Sequence, residues 1–282
     1  METADDSALF QSWGSITVIN PLEKIWNGYS DTRMGASMDS YLNGYNDPRL
    51  PVYFQPVTDG DNKGEYRGVA NGMPNPQQED YKAMSSPNVQ EKSPDSPLRW
   101  MMASEVAFLR AEGAMRGWTA EMGGTAEEFY NKGIELSFLE NGLSADAAAR
   151  YAADETSKPT DFTDVSAANT KYNISALGKI AIKWNSGASE EEQLERIITQ
   201  KWIAMFPNGT EAWSEFRRTG YPRLFPVRYN YPSSGVDTNK QIRRMVFPQS
   251  EYSNNGAAVQ EAVKLLGGPD NGGTKLWWDK KN

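Results

Sequence analysis

Histidine and cysteine are both absent from the 282 residues. Without them there is no Ser-His-Asp or Cys-His nucleophilic site, no His- or Cys-ligated zinc, no iron–sulfur cluster, no disulfide and no dithiol redox chemistry. A chain without cysteine suits any compartment, so redox usage gives no address. Long apolar runs are missing too: nothing approaches the roughly 20 residues a membrane-spanning helix needs. Met1-Glu2-Thr3-Ala4-Asp5-Asp6 has neither the basic start nor the apolar core of an export signal. No GxGxxG follows a strand and no GxxxxGK[ST] occurs, so nucleotide binding has no support. Net charge is −8 with dispersed Lys and Arg, which argues against a phosphate-backbone partner.

What is present is aromatic bulk. Hydrophobic content is only 38%, yet there are 9 Trp, 13 Tyr and 10 Phe. A chain of this length forms one large domain or two small ones and buries about three quarters of its unfolded surface. In periodic segments aromatic rings belong to the core; those in non-periodic segments are candidates for ligand contact.

Residues 195–222 carry the most information. Ile197, Ile198, Trp202, Met205 and Phe206 fall at helical spacing, and Glu195, Arg196 and Lys201 take the other face. Pro207-Asn208-Gly209 stops that helix. Thr210 then caps a second one, with Trp213 and Phe216 inward and Glu211, Glu215, Arg217 and Arg218 outward. Gly220-Tyr221-Pro222 closes the unit.

This string resembles a signature of the SusD/RagB-like proteins, surface glycan-binding lipoproteins of the Bacteroidetes outer membrane. Further stretches fit the same resemblance: Asp39-Ser40-Tyr41-Leu42 through Gly44-Tyr45-Asn46-Asp47-Pro48-Arg49, Tyr66-Arg67-Gly68-Val69 with Asn71-Gly72, Arg243-Arg244-Met245 with Phe247-Pro248 and Glu251, and Leu276-Trp277-Trp278-Asp279. The resemblance implies a cell-surface address, a lipid anchor, a SusC-like TonB-dependent transporter as partner and an oligosaccharide as ligand. It begins partway along the family's length, so the expectation is a C-terminal portion without export signal, anchor and N-terminal helices. The matched strings specify a scaffold and transfer no ligand residue; Trp277-Trp278 is assigned to closing the fold.

Nine of the sixteen prolines fall in residues 1–97, which read as a loop-rich, candidate ligand-binding region with helical periodicity only over Asp31–Tyr45 and a short strand at Ile16, Val18 and Ile19. Residues 98–219 read as helices: Leu98–Trp118, Thr125–Glu140 opened by the capping box Thr125-x-x-Glu128, Ser144–Asp154, Ile174–Trp184, and the signature helix capped by Ser189-x-x-Glu192. Small residues Ala107, Ala111, Ala114 and Gly133 make the first two a tetratricopeptide-like pair. Residues 220–282 form an irregular closing segment with one helix near Gly256–Leu266. The expected fold is mainly α, SusD-like, with that helix pair supporting the loop-rich region and minor β structure.

Sugars offer CH-rich faces to indole and phenol rings and hydroxyls to Asn, Asp, Gln or Arg. The front region combines those types in Trp13, Trp26, Asn27, Tyr29, Tyr53, Tyr66, Arg67, Asn71 and Tyr81, the candidate ligand-binding residues. Trp100, Trp202 and Trp213 sit on helical stripes and read as structural. Asp59-Gly60-Asp61-Asn62-Lys63-Gly64-Glu65 fails as an EF-hand, because Lys63 and Ala70 occupy ligand positions; a looser calcium site stays open. No metal or cofactor is expected. The preferred reading is non-catalytic glycan binding that delivers ligand to the transporter. A polysaccharide hydrolase with a carboxylate pair, and a helical-repeat scaffold for a protein or peptide, are the alternatives.

Overall fold

The computed structural model describes residues 1–11, 20–73, 78–88, 93, 95–231 and 234–280. In chain order its helices are α1 (Pro21–Glu23), α2 (Ala36–Gly44), α3 (Leu50–Tyr53), α4 (Gln78–Tyr81), α5 (Ala103–Met115) and α6 (Thr119–Met122). They continue with α7 (Ala126–Glu140), α8 (Ala145–Ala152), α9 (Glu190–Ala204), α10 (Gly209–Thr219) and α11 (Gln249–Leu265). Two short strands, β1 (Ala8–Phe10) and β2 (Leu98–Met101), pair antiparallel with Leu9 opposite Arg99 and Phe10 opposite Leu98.

The helix pair forms because small residues let the backbones approach. Gly133 of α7 faces the Phe108 ring of α5 so closely that a Cβ there would lie 2.7 Å from it. The capping box holds as read: Glu128 N donates to Thr125 Oγ1 at 3.2 Å and Thr125 N donates to Glu128 Oε2 at 2.7 Å. Across the pair lies α9, burying Ile197, Ile198 and Ile203, and Ser189 caps it as expected. The result is mainly α-helical and tetratricopeptide-like.

Three sequence expectations need correcting. The first helix begins at Ala103, because residues 98–101 pair with β1 instead, and Trp100 is 77% exposed on that strand. Ile174–Trp184 forms no helix: it is irregular, Ala176, Ile180, Ile182 and Trp184 are buried at alternate positions, and Tyr130 Oη donates to Ile182 O at 2.5 Å. The cap of α10 is Asn208, whose Oδ1 accepts from Glu211 N at 3.2 Å; Thr210 already lies inside the helix. The expected strand at residues 16–19 lies outside the described residues.

The signature helix also differs on its polar side. Glu195, Arg196 and Lys201 are buried, since α9 is enclosed on all faces. The Lys201 ammonium lies 2.7 Å from Glu211, 2.8 Å from Glu215 and 3.9 Å from Glu105. Arg218 then links Glu215 at 2.5 Å to Glu112 at 2.6 Å, and Arg116 reaches Glu112 at 2.7 Å. Of the side chains read as outward on α10, Glu211, Glu215 and Arg218 therefore join this network.

A pH dependence follows. Burial opposes ionisation of Glu112, but hydrogen bonds and charge from Arg218 and Arg116 outweigh it and hold the carboxyl below its ordinary 4.5. A lowered folded pKa gives stability that is present above the unfolded value and lost as pH falls through the folded one. Glu112→Gln is therefore expected to lower the urea midpoint at pH 7, with the gap to the parent closing below pH 4.5. Parallel pH series of urea melts check it, and a gap constant down to pH 2 would contradict it.

The front region is tied to the helices at α2. Gly44 packs so close to the backbone of Pro159 that a Cβ would sit 2.7 Å from its Cα. Just beyond, Arg49 is fully enclosed: it meets Asp47 at 2.7 Å, Ser137 Oγ at 3.0 Å and Gln200 Oε1 at 3.0 Å. Backbone bonds such as Ala36 N to Val69 O at 2.9 Å and Met34 N to Ser85 O at 2.8 Å pin the loops against α2. At the other end Arg217 lies over the Trp213 ring at 3.7 Å and the Trp278 ring at 5.4 Å, while Arg243 pairs with Asp279 at 2.7 Å. The closing role belongs to Trp278 and Asp279; Trp277 is 83% exposed. The last helix starts earlier than expected, at Gln249, with a break at Asn255.

Candidate functional site

Two surface clefts flank α2, and four of the nine sequence-derived residues divide between them: Trp26 and Asn71 in one, Tyr66 and Arg67 in the other. The front cleft, about 330 Å³, lies between the Pro21–Tyr29 segment, the start of α2 and the turn after α9. Asn20 starts that segment, its side chain accepting from Leu22 N at 3.0 Å, and Pro21 occupies the first helical position, where its missing N–H costs nothing. From it Trp26 reaches across to Phe206, the two rings lying parallel within 7° at 6.5 Å between centroids. Phe54, Trp202 and Phe225 continue the apolar lining, and Thr32, Arg33, Ser37, Asn71 and Gln241 supply the polar groups.

Those polar groups differ in what they have left to offer. Arg33 donates from Nε and Nη2 to Lys82 O at 3.1 and 2.6 Å, and from Nη1 to Ser30 O at 3.0 Å and Thr32 O at 2.8 Å. That leaves one Nη2 hydrogen uncommitted. Burial pulls its pKa below the ordinary guanidinium value, with the charge of Asp31 opposing. Asn71 is exposed and spends its backbone carbonyl on Arg228 N at 3.0 Å; its side-chain amide has no partner among the described residues. Gln241 is held at φ of +56°, a conformation uncommon outside glycine, with Nε2 donating to Phe225 O at 3.2 Å.

The second cleft, about 560 Å³, collects Tyr66 and Arg67 with Asp39, Asn43, Glu65, Thr160, Asp161 and Thr163. Its polar groups are largely spent on one another. Asp39 Oδ2 accepts from Gly68 N at 2.6 Å and Oδ1 accepts from Asn43 Nδ2 at 2.7 Å. Arg67 donates to Thr163 O at 2.6 Å and stands 3.8 Å from Asp39. Burial raises the pKa of Asp39, partly offset by those two hydrogen bonds and the Arg67 charge.

Other sequence candidates fall elsewhere. Tyr53 is fully buried, its ring 4.9 Å from Phe206, because Arg49 and α3 draw it into the core. Tyr81 is 6% exposed; its hydroxyl donates to Asp164 at 3.3 Å and accepts from Asn169 Nδ2 at 2.6 Å. Burial, with the Asp164 charge, pushes that phenol up to about 12. Both rings support the loops from inside and present no face to a ligand. Asn27 and Tyr29 are exposed on the Lys24–Tyr29 turn, outside the lining of either cleft. Trp13 lies outside the described residues. Sequence reasoning missed Arg33, Phe206 and Gln241 as lining groups; the sole signal was that Phe206 ends the signature stripe beside Pro207, at a surface. Among the described residues no group of three carboxylates is placed to hold a metal, and no helix is long and apolar enough to cross a membrane.

The molecule is thus a tetratricopeptide-like helical scaffold with an aromatic-floored cleft beside a loop-rich front. The chain belongs to the SusD-like family: residues 1–279 match the family described as SusD and RagB outer membrane lipoproteins. A chitin-binding SusD homologue from Flavobacterium johnsoniae superposes with a TM-score of 0.89 at 41% identity, covering 100% of this chain and 56% of that one. A SusD-like protein from Bacteroides thetaiotaomicron gives 0.90 at 42% identity, covering 100% and 57%. A SusD homologue from Bacteroides vulgatus gives 0.90 at 37%, covering 100% and 55%. This chain thus spans just over half the length of those proteins. No curated protein matches it.

Proposed function

We propose that this chain binds oligosaccharide in the front cleft without chemically altering it, and that the bound glycan passes to a TonB-dependent transporter in the outer membrane. The observation that carries the reading is the Trp26–Phe206 floor bordered by Arg33, Asn71 and Gln241. Apolar ring faces accept the CH side of a pyranose while a few polar groups meet its hydroxyls, the composition expected of a small-ligand site. Among the described residues lining this cleft none is a carboxylate, which supports binding over glycoside hydrolysis with its acid–base pair. The carboxylates of the second cleft serve structural bonds, with both oxygens of Asp39 engaged.

Soluble chitooligosaccharides are the first ligands to measure, because a relative 41% identical is a chitin-binding SusD homologue. Calorimetric titration is expected to give weak binding, and Trp26→Ala to weaken it roughly tenfold through loss of a stacking face. Unchanged affinity in that variant would overturn the cleft assignment. Release of new reducing ends by the purified protein would replace the binding reading with hydrolysis.

A further inference from the structure

The stretch 227–231 carries the one ring pair, among the described contacts, in which both members are exposed. Tyr229 is 44% and Tyr231 71% exposed, with centroids 5.5 Å apart and planes at 78°. Surface rings of this size forfeit burial energy, and two held in mutual contact form a patch that a partner can cover. Their backbone is not loose. Arg228 N donates to Asn71 O at 3.0 Å, and the Arg228 guanidinium donates to Tyr172 O and Asn173 O, both at 3.1 Å.

The location gives the pair its meaning. Gly72 sits at φ of +74°, and a Cβ there would come within 3.2 Å of Tyr229 N. The Asn71-Gly72 turn is therefore pressed directly against residues 228–229, and Asn71 is a lining residue of the front cleft. The segment that carries the exposed tyrosines thus adjoins the Asn71 side of that cleft, and neither tyrosine lines it. Arg228 spends both Nη2 hydrogens on backbone carbonyls, and the phenol rings and hydroxyls are the exposed surface the patch offers a ligand.

We propose that Tyr229 and Tyr231 form an outer subsite for a neutral oligosaccharide whose inner residues occupy the front cleft. The near-perpendicular planes prevent both rings from stacking on one sugar. Tyr231, the more exposed, supplies the stacking face, and Tyr229 holds it upright edge-on. The arrangement selects for chain length: a short glycan fills the cleft alone, and a longer one also covers the tyrosines. This inference rests on the front-cleft reading.

Titration of the parent, Tyr231→Ala, Tyr231→Phe and Trp26→Ala with chitooligosaccharides from disaccharide to hexasaccharide separates the two. In the parent, affinity is expected to rise with length. Tyr231→Ala should weaken hexasaccharide binding about three- to tenfold while leaving the shortest ligand that binds unchanged, and Tyr231→Phe should retain most of the gain. Equal effects of Tyr231→Ala on all lengths, or none on any, overturn the outer subsite even if Trp26→Ala still weakens binding. No effect of Trp26→Ala on any length overturns the front cleft itself. A parent that binds no member of the series overturns both. Urea midpoints equal to the parent's establish that the surface variants are folded.

Discussion

Arg49→Met is expected to cost about 3–5 kcal/mol of folding stability, seen as a large drop in urea midpoint with an unchanged slope. The guanidinium has no solvent exposure and meets a carboxylate, Asp47, that has none either. Its remaining donors reach Ser137 of α7, Tyr151 of α8 at 3.3 Å and Gln200 of α9, and its flat face lies 5.0 Å from the Phe138 ring. Methionine fills most of the volume and restores neither the charge nor the bonds, so the Asp47 carboxyl loses its counter-charge in a dry site. Removing that charge as well gives the discriminating control. Asp47→Asn added to Arg49→Met should recover part of the loss, whereas purely steric damage would be deepened. A single variant melting with the parent would show that the enclosure of Arg49 carries no stability.

Lys201→Met comes next, at about 3 kcal/mol near neutral pH. Here one ammonium, 1% exposed, answers Glu105, Glu211 and Glu215, and Arg218 continues to compensate Glu215 after its removal. The pH dependence of this loss has a definite sign. Burial already raises the pKa of Glu105 above 4.5, with Lys201 opposing. Without Lys201 it rises further, and a raised acid destabilises the fold at high pH and ceases to do so as pH falls through its folded value. The stability deficit of Lys201→Met should therefore shrink on acidification from pH 7 toward 4. A deficit that grows over that interval would contradict the assignment of Lys201 as the compensating cation.

These two cations mark where sequence reading reached its limit. Helix existence and caps were legible, because Thr125, Ser144 and Ser189 act within three residues of themselves. The fate of Lys201 was not: a polar side chain on an amphipathic stripe reads as solvated until partners arrive from α5 and α10. The stretch Ile180-Ala181-Ile182-Lys183-Trp184 alternates with period two, a signal outweighed in the sequence by reading the whole of 98–219 as helices. Trp100 was misplaced for the same reason, since only pairing with Ala8–Phe10 reveals a strand of four residues.

The site was legible by residue type and not by address. Trp26 and Asn71 do line one cleft, and Tyr66 and Arg67 another, but nothing local says that α2 divides them. Tyr53 and Tyr81 share the loop context of the exposed candidates. What buries them is the distant placement of Phe206 and Asp164. Tyr229 and Tyr231 lay in the segment read as merely closing the fold, and were passed over on that account.

The encirclement of α9 has an implication for engineering. A rod wrapped on every side tolerates few replacements, whereas the surface turns that border the front cleft can be exchanged without unsettling it. Re-targeting this protein to another sugar is accordingly a matter of rewriting short outer stretches, with the central spindle kept letter for letter.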